Sequence, residues 1–382
     1  MSDSTSASRS DLGPVSTPVF TPAFTPAFTI EELTVPATLA HAGGVEFSEM
    51  VTVRNAVLAR IYSGDDLEYT AQELLPHWND HYEPKRGLLA RVDGRAAGRA
   101  IYEYNTEGSA NTAYFAIEVL PEFRRRGIGT ALLAALEAFA AADSRTIHHV
   151  YAISRELSGE RLTAPTGFGS VPLADDGVRF LLKHGFQLEQ VERASKLTLP
   201  VEPSTMAALT TAAVAASALE YRLHAFVDRT PPEWREDMAM LLTRMSTDAP
   251  SAGMEEVEDV WTVERMIDWE NRNAEGPRSE LVAMVEHISS GRLAGFTSLS
   301  VPPQAHRTVT QEDTIVLREH RGHRLGMLMK LANIEHLERV APGHPSITTS
   351  NAEENRPMLS VNEAVGFVAV GYEGAWKRVV AA

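Results

Sequence analysis

The chain has 382 residues, 44% of them hydrophobic, which is room and apolar content for two packed domains of ordinary size. It contains no cysteine, so disulfides, thiolate metal sites and a cysteine nucleophile are excluded. Its net charge of −16, from 35 basic against 51 acidic residues, argues against nucleic-acid binding as its main task and is compatible with a cationic amine ligand or with solubility alone.

Residues 1–29 are rich in Ser, Thr and Pro. Thr17-Pro18-Val19-Phe20, Thr21-Pro22-Ala23-Phe24 and Thr25-Pro26-Ala27-Phe28 form a tetrapeptide repeat. Proline at every fourth position forbids a regular helix, so a tail is expected, mobile or docking through its Phe residues. The first ten residues lack the charged-then-apolar pattern of a secretory leader, and no apolar run reaches the ~18 residues of a membrane span. A soluble cytoplasmic protein is expected.

A first domain is expected over 30–200. A strand is read near Ile30–Val35, helices at Ser48–Arg60 and Asp65–Leu75, and a hairpin at Leu88–Val92 and Ala96–Tyr104 around Asp93-Gly94. Thr112–Leu120 is a strand, and His148–Ser154 another. Between 156 and 176 lies an insertion that the second half lacks. Its Thr163-Ala164-Pro165-Thr166-Gly167-Phe168-Gly169 is a loop by composition. Residues 201–219 read as a helical linker, and a second domain is expected over 220–382. Pro231–Met245 is amphipathic, and acidic Glu255, Glu256, Glu258 and Asp259 precede a helix at Val260–Asn271. Leu281–Glu286 and Leu293–Ser300 form a second hairpin, and Asp313–Leu317 a further strand.

The informative feature is a repeated segment. Val119-Leu120-Pro121-Glu122-Phe123-Arg124-Arg125-Arg126-Gly127-Ile128-Gly129-Thr130 returns as Val316-Leu317-Arg318-Glu319-His320-Arg321-Gly322-His323-Arg324-Leu325-Gly326-Met327. Each copy follows a β-type run and opens a helix-type run. A strand that turns through glycine into a helix leaves backbone N–H groups converging at the positive end of the helix dipole, which suits a pyrophosphate. Gly127 and Gly129 admit close approach, and Arg124, Arg125 and Arg126 add charged donors. The pattern is neither a Walker A loop nor the dinucleotide fingerprint. His320, His323 and His336 have no metal-ligand pattern; phosphate contact and surface roles are expected, and no metal.

Arg124-x-x-Gly127-x-Gly129 resembles the acyl-CoA pyrophosphate loop of the GNAT N-acetyltransferase superfamily. Phe180–Phe186 and Asn355–Phe367 are similar to the family's later segment, a helix ending in Gly-Phe. The order of Thr314 and Val316, the second loop, Asn351 and Asn355 resembles tandem GNAT proteins of actinobacterial type, among them the mycothiol synthases. The resemblance implies an α/β (α+β) protein of two tandem GNAT-like domains, each a mixed, mostly antiparallel central sheet flanked by helices. It implies an acyl-CoA-dependent N-acyltransferase, with acetyl-CoA or another acyl-CoA as co-substrate and a small-molecule primary amine as acceptor. The implied cofactor contacts are Val119, Arg124 to Thr130, Val316, Arg321 to Gly326, Asn351 and Asn355.

Two departures stand out. Arg324 occupies a position where the family has Gly, and Leu181 and Asn362 stand where many members carry a Tyr general acid. Family bases precede the loop on its strand. There the second half offers Glu312 or Asp313 where the first offers Ala113, Tyr114 and Phe115, so the second half is expected to be catalytic. A non-catalytic acyl-CoA sensor and a protein acetyltransferase recruited through the tail remain alternatives, and the acceptor and oligomeric state are not encoded in any motif.

Overall fold

The computed structural model describes residues 28–62, 64, 66–106, 111–254 and 257–381. The Thr-Pro repeat, apart from Phe28, lies outside them, as do Glu255 and Glu256.

The first half begins with strand β1 (Thr29–Glu32) and helix α1 (Gly44–Tyr62), which buries Phe47, Met50, Val51 and Val57 at helical spacing. Helix α2 (Ala71–Trp78) starts later than expected because Thr70 and Glu73 form a reciprocal capping box. Strands β2 (Lys85–Val92) and β3 (Arg95–Glu103) join through Asp93 and Gly94, both at positive φ (49° and 78°), as a two-residue hairpin turn requires. Strand β4 (Thr112–Val119), helix α3 (Ile128–Ala142) and strand β5 (Ile147–Ser154) follow. The insertion is not merely a loop. Strands β6 (Arg161–Thr163) and β7 (Ser170–Pro172) pair around its Pro- and Gly-rich tip. Helix α4 (Asp176–Lys183), capped by Asp175, leads to the long strand β8 (Gln187–Thr198).

Helix α5 (Pro203–Ala216) opens the second half. There follow β9 (Tyr221–Val227), α6 (Arg235–Asp248), α7 (Val263–Asn273), β10 (Ser279–His287), β11 (Arg292–Val301), β12 (Val309–Val316), α8 (Leu325–Val340), β13 (Ser346–Ala352), α9 (Arg356–Val365) and β14 (Val368–Val379).

Twelve strands form one sheet in the order β1-β2-β3-β4-β5-β14-β8-β13-β12-β11-β10-β9. Its pairings are antiparallel except β4–β5 and β12–β13. The last strands of the halves are exchanged: β14 pairs with β5 of the first half, β8 with β13 of the second, and β8 and β14 pair with each other. Trp376 of β14 is consequently fully buried in the core of the first half.

Side-chain alternation fixes which helices cover which face. On β2, Leu88 and Ala90 pack with α3 and α4, while Leu89 packs with α1 and α2. In the second half, Leu281 and Val285 pack with α5 and α8, and Val282 and Met284 with α6 and α7. Ion pairs tie the halves together beside the α2–α7 contact. Glu73, with no exposed side-chain surface, receives Arg307 at 2.8 Å and Arg278 at 3.2 Å, and Asp80 receives Arg272 at 2.6 Å. A buried carboxylate holding two guanidiniums is costly to unpair, so this contact is specific.

Candidate active site

Parallel pairing of β4 and β5 covers only Thr112–Phe115 against Ile147–Val150. Beyond it the strands diverge, and a cavity of about 610 Å³ opens between Ala116–Val119 and Val150–Ile153. On one side it is lined by the loop residues Arg124, Arg125 and Gly127 to Thr130 and by α4; on the other by Arg54, Val57, Leu58 and Ile61 of α1. Since α1 and α4 cover opposite faces, the cavity passes through the sheet at the divergence.

The first loop runs directly into the N-terminus of α3. Gly127 is the N-cap of α3 at φ 86°, with no side chain capping the helix. Thr70, Asp175, Thr262 and Asn355 cap α2, α4, α7 and α9, whereas α5, α6 and α8, like α3, have no side-chain cap. What sets α3 apart from α5 and α6 is that its first-turn N–H groups follow a glycine-containing loop in the wall of the cavity. Arg124 folds back to donate to the Val119 carbonyl at 3.0 Å and lies 3.5 Å from Asp176. Arg126 donates to the Glu122 carbonyl at 3.2 Å. Gly129 packs closely: a Cβ there would stand 3.3 Å from the Phe180 ring, which would have to give by a few tenths of an ångström. Thr130 and His184 share a 3.3 Å hydrogen bond at the rim.

The second loop has the same backbone path with different chemistry. Arg321 donates to the Val316 carbonyl at 3.1 Å, as Arg124 does to Val119. Arg324 takes the place of Gly127 as N-cap and adopts φ 53°, the left-handed region, which costs a non-glycine residue ~1–2 kcal/mol. Asp248, at the end of α6 and with 8% of its side chain exposed, binds Arg321 at 2.9 Å and Arg318 at 3.1 Å. A carboxylate of the protein itself thus holds the guanidiniums that would meet phosphate. His320 bonds Tyr221 at 3.0 Å, and His323 packs on the same ring. Gly322 lies in the turn at φ 92°, and Leu325 and Gly326 open α8. His336 is buried within α8, not on the surface as expected.

The remaining second-half residues are placed as follows. Asn355 is a helix cap, its side chain accepting from the Met358 N–H at 3.4 Å, and Asn351 accepts from buried Asn362 at 2.7 Å. Leu181, at the other general-acid position, lies in the core. Neither position carries a hydroxyl. Glu312 and Asp313 stand together against Ser298 at a register shift between β11 and β12, where two residues face one. Burial raises both carboxyls, and with Asp313 adjacent it pushes Glu312 up to about 7 while its side chain still reaches solvent. Burial, with both these carboxylates nearby, raises Glu280 of β10 well above the usual range.

Sequence reasoning missed Glu373. It lines the first-half cavity although it belongs to β14. Burial and then neighbouring Glu192 push its carboxyl up to about 8.

Residues 55–158 match the acetyltransferase (GNAT) family. Over its length the chain superposes on a tandem GNAT protein from the clavulanic acid biosynthesis pathway, solved without acetyl-CoA. The TM-score is 0.69 at 22% identity, with 93% of this chain and 99% of that one covered. This is a tandem GNAT-fold protein. A GCN5-related N-acetyltransferase from Sphaerobacter thermophilus matches this tandem GNAT fold at TM-score 0.57 and 15% identity, over 92% of this chain and 96% of that one. A fungal glucosamine N-acetyltransferase region within a multi-domain β-N-acetylglucosaminidase matches at TM-score 0.56 and 14% identity, over 92% of this chain and 38% of that one. No curated protein matches the chain. Among the described residues no group of side chains is arranged to hold a metal, and no helix is long and apolar enough to cross a membrane.

Proposed function

We propose that the protein transfers an acyl group, in the simplest case acetyl, from acyl-CoA to a primary amine of a small molecule in the cytoplasm, and that acyl-CoA binds in the first half. The observation that carries this reading is the through-sheet cavity behind the uncapped end of α3. Pyrophosphate binds at Arg124 to Thr130. Pantetheine follows the diverging edges of β4 and β5, whose unpaired backbone groups hold it and polarise the thioester. The thioester then emerges on the α1 side, where the amine arrives.

This reading moves acyl-CoA away from the second half, which the carboxylates Glu312 and Asp313 had favoured, because Asp248 already occupies Arg318 and Arg321 of the second loop. Val316, Arg321 to Gly326, Asn351 and Asn355 then keep structural roles in a duplicated site.

A specific observation supports a second reading. With buried Leu181 and Asn362 at the acid positions, the protein would bind acyl-CoA as a regulator without turnover. Thiol release from acetyl-CoA separates the two. The chain has no cysteine, so every thiol that appears comes from CoA. Acceptor-dependent release with phenylethylamine, kanamycin, glucosamine or a lysine peptide supports transfer. Tight CoA binding with no release supports the regulator.

A further inference from the structure

Glu192 and Glu373 are equivalent positions of the two halves. Each stands seven residues after the glycine of its Gly-Phe pair, Gly185 and Gly366. They are also direct partners in the antiparallel β8–β14 register. The local two-fold relating the halves therefore crosses the sheet between these two carboxyl groups. Both point to the face covered by α1. A Cβ on Gly371, two residues before Glu373 on the same side of its strand, would stand 2.7 Å from the Tyr62 ring of α1, and both glutamates raise the Tyr62 hydroxyl's pKa, after burial.

The cavity has four acidic residues in its wall, and three are committed elsewhere. Glu118 is held by Arg99 through two bonds of 2.6 and 2.8 Å. Asp175 caps α4 through the N–H groups of Gly177 and Val178. Asp176 faces Arg124. Glu373 has no cation and no hydrogen-bond donor among the described residues. Glu192 on β8 and Tyr62 on α1 interact with it, and the remaining ionisable groups of the cavity wall are Arg54 and Arg60 on α1, Tyr151 and Arg155 at the β5 edge, Arg124 and Arg125 of the loop, and Arg179 and Lys183 of α4. Arg54 is engaged with the Leu67 carbonyl at 2.8 Å and with Asn55.

We propose that Glu373, supplied to the first-half cleft by the last strand of the second half, is the base that accepts the proton of the acceptor ammonium, and that Glu192 sets its proton affinity. The inference rests on the proposed acyl-transfer function. The Glu373 carboxylate takes one proton from R–NH3+ and later gives it to solvent. The freed amine forms the N–C bond at the thioester carbon. The C–S bond breaks as the tetrahedral intermediate collapses, and the second nitrogen proton passes to the departing sulfur, giving CoA thiol and amide. Glu192 is a positioning residue: a second carboxyl directly across the register disfavours two adjacent negative charges, so the second of the pair ionises late.

The test uses the full chain, acetyl-CoA and the four amines named above. Glu373→Gln is expected to lower kcat at least about 100-fold, the usual scale for a lost general base, with CoA affinity within about twofold and no loss of thermal stability. Glu192→Gln is expected to move the acid limb of the kcat/KM profile about one pH unit lower, because a like charge has been removed. Glu373→Gln turnover within about threefold of wild type, with the limb in place, overturns the proposal while leaving the acyltransferase reading intact. An unmoved limb in Glu192→Gln overturns the pairing. A wild-type protein that transfers to no amine overturns the underlying function and this inference together.

Discussion

Asp248 and Arg321 form a 2.9 Å ion pair that ties the end of α6 to the second loop, whereas Arg124 of the first loop meets only the half-exposed Asp176 at 3.5 Å among the described carboxylates. The duplicated motif therefore holds its arginine loosely in one copy and tightly, by a buried carboxylate, in the other. We expect one acyl-CoA per chain by calorimetry. Arg124→Ala should weaken binding about tenfold or more, the scale of one charge-assisted hydrogen bond, and Arg321→Ala should leave it within about twofold. Two sites of similar affinity would contradict this.

The exchanged strands make the halves interdependent. Trp376 is encoded in the second half but fully buried in the first-half core. Trp376→Ala should cost about 3–5 kcal/mol and weaken acyl-CoA binding at a loop distant in sequence. Denaturant unfolding should stay a single transition. Separate transitions for the halves would show that the shared sheet does not couple them.

Arg324 holds a glycine-like conformation at φ 53°. Replacing it with glycine removes that strain but adds glycine's entropy to the unfolded chain, so it should stabilise the protein by a net of at most about 1 kcal/mol, a rise of about 2 °C in Tm. Gly127→Ala, at φ 86°, should move Tm the opposite way. A lower Tm for Arg324→Gly would mean that its side chain contributes more than its backbone costs.

Glu373 also links stability to pH. Its folded pKa is raised by burial and by Glu192 to about 8, against about 4.3 when unfolded. Between these values the native state binds more protons than the unfolded state, so stability falls as pH rises through that window. Glu373→Gln cannot lose this proton. Its Tm relative to wild type should therefore climb from pH 5 to pH 8, and a constant difference would show that Glu373 titrates normally.

Much of the fold was legible because it is local. The repeated loop, the Asp93-Gly94 turn and the helix after each loop are specified by neighbours in sequence. The start of α2 was misread by several residues because Thr70 and Glu73 cap each other, a signal weaker than the apolar pattern around it. The strand exchange was not legible. Pairing β14 with β5 and β8 is decided by packing between distant segments, as Trp376 shows. Glu373 stayed hidden for the same reason: its placement in the first cleft follows only from the exchange. The one available signal was the equal spacing of Glu192 and Glu373 from their Gly-Phe pairs.

The most direct measurement is acceptor-dependent thiol release from acetyl-CoA by wild type, Arg124→Ala and the double variant Glu312→Gln, Asp313→Asn. With acyl-CoA and the base both in the first cleft, wild type should turn over, Arg124→Ala should lose kcat/KM about tenfold or more, and the double variant should stay within about threefold of wild type. A double variant that is inactive while Arg124→Ala works normally would place the reaction in the second half and contradict the site proposed here.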